Sequence, residues 1–252
     1  ETADIATLSK KQIDSMTTAQ LNQLGTAQFK VLSSANIQAL SNAQLSALSS
    51  TQLNAMGSSQ VRALSVAQLN ALTSTQLNNL SSTALTSLSA IQVAGLASTS
   101  VANMSTATLA NLGATNFGAL TKVQMGAIST TNFAALTASA TSLVSGMSSA
   151  AVQALSADQI NALGTTALGL VGTANIAALT KTQVAGISSS QLNKLSSNQL
   201  RAIENVDLQA MTTSQVSALT STNVGYLKSD QIGALTENQV GALSLANLGT
   251  TQ

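Results

Sequence analysis

Any chemistry in this chain must come from a short roster of side chains. Eight carboxylates are present: Glu1, Asp4, Asp14, Asp158, Glu204, Asp207, Asp230 and Glu237. A carboxylate pair for acid–base work, or a calcium site, needs several of them converging on one point. Only Glu204 and Asp207 are close neighbours, within the segment ENVDLQAM, where an acidic pair suits the N-terminus of a helix. There is no His and no Cys, so the common general base, the thiol nucleophile and the usual transition-metal ligands are missing. Serines abound, but none has a base to activate it, and the GxSxG elbow does not occur. Lys10 and Lys11 are the only adjacent cations and read as a solvated corner. Tyr226, the single tyrosine and the one aromatic expected at the surface, is too little for a stacking platform for bases or sugars. The sequence therefore assigns no catalytic residue, no cofactor-binding residue, no metal site and no enzymatic activity.

Composition narrows the class further. Of the 252 residues 44% are hydrophobic, yet only 7% are charged and 2% aromatic, with no Pro or Trp. Soluble domains carry about 25% charged residues, and chains disordered for want of hydrophobicity carry far less apolar content than this one. A net charge of +1 gives no electrostatic pull toward nucleic acid or anionic lipid. Between Asp14 and Asp158 there is no acidic residue, and the only cations are Lys30, Arg62 and Lys122. So few charges leave little repulsion between copies and favour association. No apolar run approaches the roughly 18 residues of a membrane helix. The chain opens on Glu1 without a signal-peptide core, so it is expected to be a processed chain or a piece of a longer one.

The elements that would position these groups are written in a repeat of eight. From Ser33 the chain reads SSANIQAL, SNAQLSAL, SSTQLNAM, GSSQVRAL, SVAQLNAL, TSTQLNNL, with the consensus [S/T]-x-x-Q-[L/V/I]-x-A-L. Residues 1–136 form 17 octads, residues 137–147 (TASATSLVSGM) an irregular 11-residue unit, and residues 148–251 another 13 octads. Position 5 is apolar in all 30 octads and position 8 in 29, Thr251 being the exception. Position 4 is Gln or Asn in 23 of the 30; the exceptions are Asp4, Ala84, Ser100, Thr108, Ala151, Ala167 and Asp207. The expectation is a single continuous repeat array over 1–252.

An octad excludes both regular structures when continuous. Positions 5 and 8 have opposite parity, so a strand would place them on opposite faces. An α-helix would turn by about 800° per octad, and its apolar stripe would drift by about 80° each time. The chain must therefore break once per octad. Ser or Thr at position 1 with Gln at position 4 is a capping box, with Thr17 as cap and Gln20 at the third helical position in one copy. Gly at position 1, as in Gly25 or Gly57, serves equally well as a helix terminator for the preceding unit. Positions 5 and 8 then share one helical face.

Each octad is thus expected to be a helix of about one and a half turns and a tight corner, far shorter than a helix that is stable alone. Only packing against neighbouring octads can hold it, so the fold class is an all-α solenoid, with a β-solenoid as the alternative. Two octads per coil, or three, would both be possible. The small residue at position 7 would allow close packing. The column of position-4 amides reads as a capping or inter-coil hydrogen-bond ladder rather than a ligand stripe. Phe29, Phe117 and Phe133 fall at position 5 and should be core. In the 11-residue unit three extra residues add nearly a turn, keeping Leu143, Val144 and Met147 inward while bending or re-phasing the array.

Copies such as LNALTSTQL and ALTKTQVAGI resemble the octapeptide-repeat arrays of very large secreted or surface-anchored bacterial proteins, the adhesins and haem-utilisation/adhesion exoproteins. The resemblance implies a bacterial, extracellular or cell-surface location and a stalk-like or matrix-forming role. It carries no functional residue onto this chain and supplies no haem ligand. The function expected is a non-catalytic structural repeat protein, a stalk or a self-assembling filament stacked end to end. Its partner would be another copy or the remainder of a longer chain, with no cofactor, nucleic acid or membrane insertion. The alternative is a binding module, an ice-ordering or adhesive surface built from the Ser and Thr residues. Neither end shows a polar capping repeat, which points to end-to-end continuation.

Overall fold

The computed structural model describes residues 1–139 and 141–244. Among these residues there is one short helix per octad and no strand. The last octad, residues 244–251 with Thr251 at position 8, lies almost wholly outside the described residues, as does Gln252. The chain forms two compact units, Glu1–Leu120 and Thr121–Gln252. Each is an all-α solenoid of short helices.

The octad determines the local structure as its residue types require. In Ser49–Met56, Ser49 is extended (φ −68°, ψ 152°), Ser50–Ala55 is helical, and Met56 is extended again (φ −63°, ψ 133°). Two consecutive extended residues, positions 8 and 1, make the corner. Ser49 accepts the Gln52 backbone N–H on its hydroxyl, and its own N–H donates to Gln52 Oε1 at 3.1 Å, closing the box in both directions. Thr17 and Gln20 pair in the same way.

Gly at position 1 falls at the corner after the preceding helix. Gly25 and Gly57 have φ −70° and −76°, extended like the serines they replace. Their N–H groups still donate to Gln28 and Gln60 Oε1, so the glutamine half of the box alone fixes the corner. Among the described residues only Gly113 (φ 75°) and Gly164 (φ 69°) are left-handed. There the preceding leucine, Leu112 or Leu163, stays helical, so the reversal passes to the glycine.

Packing follows the octad count. In the first unit, Lys10–Asp14 packs against Ser34–Ala39, which packs against Ser58–Ala63, then Ser82–Ser87, then Thr106–Asn111. In the second, Thr173–Ala177, Ser197–Ala202 and Ser221–Tyr226 form one such column. Each helix thus meets the helix three octads on, while side-chain hydrogen bonds reach four octads back. A coil therefore holds between three and four octads, a number the sequence leaves open.

Position 5 lies at the centre of the coil and position 8 beside it: Leu45, Leu53 and Leu85 are fully buried, as are Phe29, Phe117 and Phe133. Position 7 is small because it faces position 2 of the octad three back. A Cβ on Gly95 would come within 2.6 Å of Val66, and one on Gly186 within 2.5 Å of Ala157.

The 11-residue unit is absorbed within the second solenoid. The helix Thr130–Ser139 runs on past the end of its octad, Thr141–Ser145 follows, and Leu143, Val144 and Met147 are buried. Gln159 donates to the carbonyls of Met125 and Ile128, 34 and 31 residues back, where ordinary rungs span 31 and 28. The three added residues lengthen one coil, and the ladder keeps its phase across them.

Candidate interaction surface

The amide column is both things at once, a cap and an inter-coil ladder. Gln76 accepts the Thr73 N–H on Oε1 at 2.8 Å. Its Nε2 donates to the carbonyls of Leu48 (2.8 Å) and Leu45 (3.2 Å), positions 8 and 5 of the octad four back. Gln52, Gln60, Gln68, Gln183, Gln215 and Gln239 repeat the arrangement. A buried amide needs partners on both its oxygen and its nitrogen, and the coil provides them; Gln76 is only 6% exposed. The shorter Asn at position 4 makes fewer rungs: Asn36 reaches Leu8, Asn116 reaches Leu85 and Asn175 reaches Met147. No amide in these rungs is left over to hold a ligand.

A second ladder sits at position 6, which the repeat consensus leaves open. Asn22, Asn54, Asn70, Asn78 and Asn193 donate forward to the position-7 carbonyl 25 residues on, as in Asn70 to Gly95 at 2.9 Å. Arg62, Arg201 and Gln209 do the same. Four of these asparagines also repair the first ladder. The octads with Ala84, Ser100, Thr108 or Asn223 at position 4 lack the glutamine that would accept the position-1 N–H. There the N–H groups of Ser81, Ala97, Ser105 and Thr220 donate instead to Asn54, Asn70, Asn78 and Asn193 Oδ1, at 2.7–3.2 Å. The sequence carries this signal as an Asn 30 residues before each of the four substituted positions.

The position-4 ladder reaches backward along the chain, opposite to the position-6 ladder. Nε2 reaches back by 28–31 residues, so the glutamines of the first coil have no earlier octad within residues 1–252 to reach. Gln12 and Gln20 are exposed and Gln28 is half-buried, while from Gln44 onward the column is buried wherever Gln occupies it in the first unit. At the other end, Ile232 and Leu235 are half-buried and Val240 is 51% exposed, although position 5 is otherwise the most buried.

Charge is sparse and clustered. Glu204 stands at the cap position but makes no side-chain cap bond, and Asp207 occupies the buried place of a ladder glutamine. Burial holds the Asp207 carboxyl above its usual range; the Glu204 charge adds to this, and Lys181 opposes it. The two carboxylates stand at the N-terminus of the helix Asn205–Leu208, as the sequence suggests, with burial working against the charge of Asp207. An ionised Asp207 can offer no hydrogen to neighbouring carbonyls, so it breaks the ladder where Gln199 and Gln215 maintain it.

Beside Glu204 lies an open cleft of about 340 Å³ lined by Arg201, Val206, Lys228 and Asp230. Two others, of about 460 and 310 Å³, sit at the left-handed corners of Gly164 and Gly113. None brings a nucleophile together with a base. Among the described residues no three His, Cys, Asp or Glu side chains group as metal ligands, and no helix is long and apolar enough to cross a membrane. Lys10 and Lys11 are exposed, and Tyr226 is half-buried rather than displayed at the surface.

No curated protein matches the chain in sequence. Four segments, residues 1–34, 23–58, 52–82 and 200–237, just under half of the chain, match the model of the ALTTAQ repeat family. Read as residues, that name spans positions 7 and 8 of one octad and 1 to 4 of the next, as in Ala63-Leu64-Ser65-Val66-Ala67-Gln68. It thus covers the corner and its capping glutamine. Over those segments the chain is similar to ALTTAQ repeats, and as a whole it is a helical repeat protein.

Proposed function

We propose that this chain is a non-catalytic structural array, carried outside the cell or on its surface as part of a stalk or filament. The observation that carries the reading is how the amides are used. In the ladder the position-4 glutamine has its oxygen on its own corner and its nitrogen on the previous coil. Such a design spends its functional groups on continuity along the chain axis, the property a spacer needs, and leaves none converging on a reacting atom. The resemblance of the octad to repeats of large surface-anchored bacterial proteins supports the location, and a chain without cysteine is compatible with it. Antibody raised against the 252-residue chain should label intact cells of the organism that makes it, and external protease should remove the label. Labelling that appears only after permeabilisation would overturn the location.

A further inference from the structure

One octad puts an acid where the ladder needs a donor. Asp207 stands at position 4 of residues 204–211 and is 7% exposed. By the count that Gln199 and Gln215 keep, its partners are the carbonyls of Ile176 and Leu179, 31 and 28 residues back. The Ile176 carbonyl already accepts the Leu179 N–H at 3.2 Å. Leu179 lies in the corner between the helices Thr173–Ala177 and Lys181–Gly186. Its equivalents Val171 and Ile187 accept glutamine Nε2 at 2.8 and 2.6 Å. A carboxylate in that place sets one acceptor against another, and neither can satisfy the other.

The side chain is long enough for the rung. Asn36 and Asn175, also at position 4, donate Nδ2 across the same 28 residues to Leu8 and Met147, at 3.0 and 2.7 Å. Aspartic acid has the length and planar shape of asparagine. Once protonated it carries an O–H where asparagine carries its N–H donors, so a single proton supplies the missing donor.

The surroundings decide how firmly that proton is held. The helix Asn205–Leu208 packs against Lys181–Gly186 and Ser229–Gly233. The first brings Lys181; the second brings Asp230, with Lys228 at its cap position. Glu204 caps the helix of Asp207 itself, and Arg201 lies in the last turn of the helix before it. All of these charges are exposed. Burial and the Glu204 charge favour the neutral acid, and Lys181 favours the carboxylate.

We infer that Asp207 is a proton-operated rung. Protonated, it donates to the Leu179 carbonyl and ties residues 204–211 to the previous coil; ionised, it leaves that seam to water. The proton comes from solvent and returns to it, so no other reactant is needed. The inference concerns the fold and does not depend on where the array is carried. Acid has little else to act on, because the chain holds eight carboxylates and no histidine.

Hydrogen exchange of the 252-residue chain, corrected for the intrinsic pH dependence of amide exchange, tests it. Moving from about pH 7 to about pH 3 should slow exchange about fivefold in peptides covering residues 172–179 and 204–211. Peptides covering residues 41–48 and 73–80, joined by the Gln76 rung, should show no such gain. Asp207→Asn should exchange slowly at both pH values, and Asp207→Ala fast at both. Glu204→Gln should move the midpoint of the change to lower pH, and Lys181→Gln should move it to higher pH. A seam whose exchange ignores pH, or an Asp207→Asn variant that responds to pH as the wild type does, would overturn the inference.

Discussion

A glutamine at position 4 does three jobs with one carboxamide, and its loss should cost accordingly. Gln76→Ala removes the acceptor of the Thr73 N–H and two donations to the coil below. The Leu45 carbonyl keeps its bond from the Leu48 N–H, whereas the Leu48 carbonyl in the corner loses its partner, so about 3 kcal/mol is expected, read as a shift in urea midpoint. Gln12→Ala, in the first coil, loses only its half of the corner box with Ser9 and should cost less than about 1 kcal/mol. Equal losses at the two sites would contradict the inter-coil role.

Asp207 makes the opposite test. Its folded pKa lies above the ordinary 3.8, so the folded chain holds the proton more tightly than the unfolded one. That contribution is complete below the unfolded value and is lost as pH rises through the folded one. Asp207→Asn should therefore raise the melting temperature at neutral pH and lose this advantage below about pH 3.8. A gain that persists unchanged in acid would place the cause elsewhere.

At the scale of the element, the short helix, its cap and its two inward positions were legible because they follow from spacing and residue type alone. The corner was half legible. Sequence marks where it falls, but Gly25 and Gly113 occupy the same octad position with φ −70° and 75°. What separates them is whether the preceding leucine stays helical, which depends on packing. Gly113→Ala should cost about 1–2 kcal/mol from the left-handed backbone alone, whereas Gly57→Ala, already extended and with the nearest side-chain atom 3.8 Å from the new Cβ, should be near neutral or slightly stabilising. Matching thermal shifts for the two would refute the distinction.

The position-6 ladder was missed because each octad was compared with its immediate neighbours, while the partner of an asparagine lies 25 to 27 residues on. Asn78→Ala should cost about 1–2 kcal/mol by stranding the Ser105 N–H. Thr108→Gln should recover much of that loss in the Asn78→Ala background and give less in the wild type. Strict additivity in the cycle would mean that the two ladders do not substitute for each other.

At the scale of the whole molecule, periodicity established that a solenoid was needed, but not how many octads complete a coil. That number is the sum of many corner angles, and small differences in each accumulate beyond what composition encodes. The expectation of no catalytic constellation rests on the roster of residue types alone. Electrostatics contributes little to holding the fold: among the described residues one ion pair occurs, the exposed contact of the N-terminal amine with Asp4 at 3.0 Å. Raising salt from about 0.05 M to about 0.5 M should accordingly move the melting temperature of the monomer by no more than about 2 °C. A larger shift would reveal charge interactions that the fold does not display.

The backward reach of each glutamine also orders events in time. As the chain is made from its first residue onward, the position-4 Nε2 donors appear after the carbonyls they will bind, 28 to 34 residues upstream. A newly emerged octad therefore finds its template already in place and adds one rung. Growth can proceed a unit at a time, with no long search for a distant partner. Run backward, the same chain would have to hold its amides unpaired until a whole coil had followed.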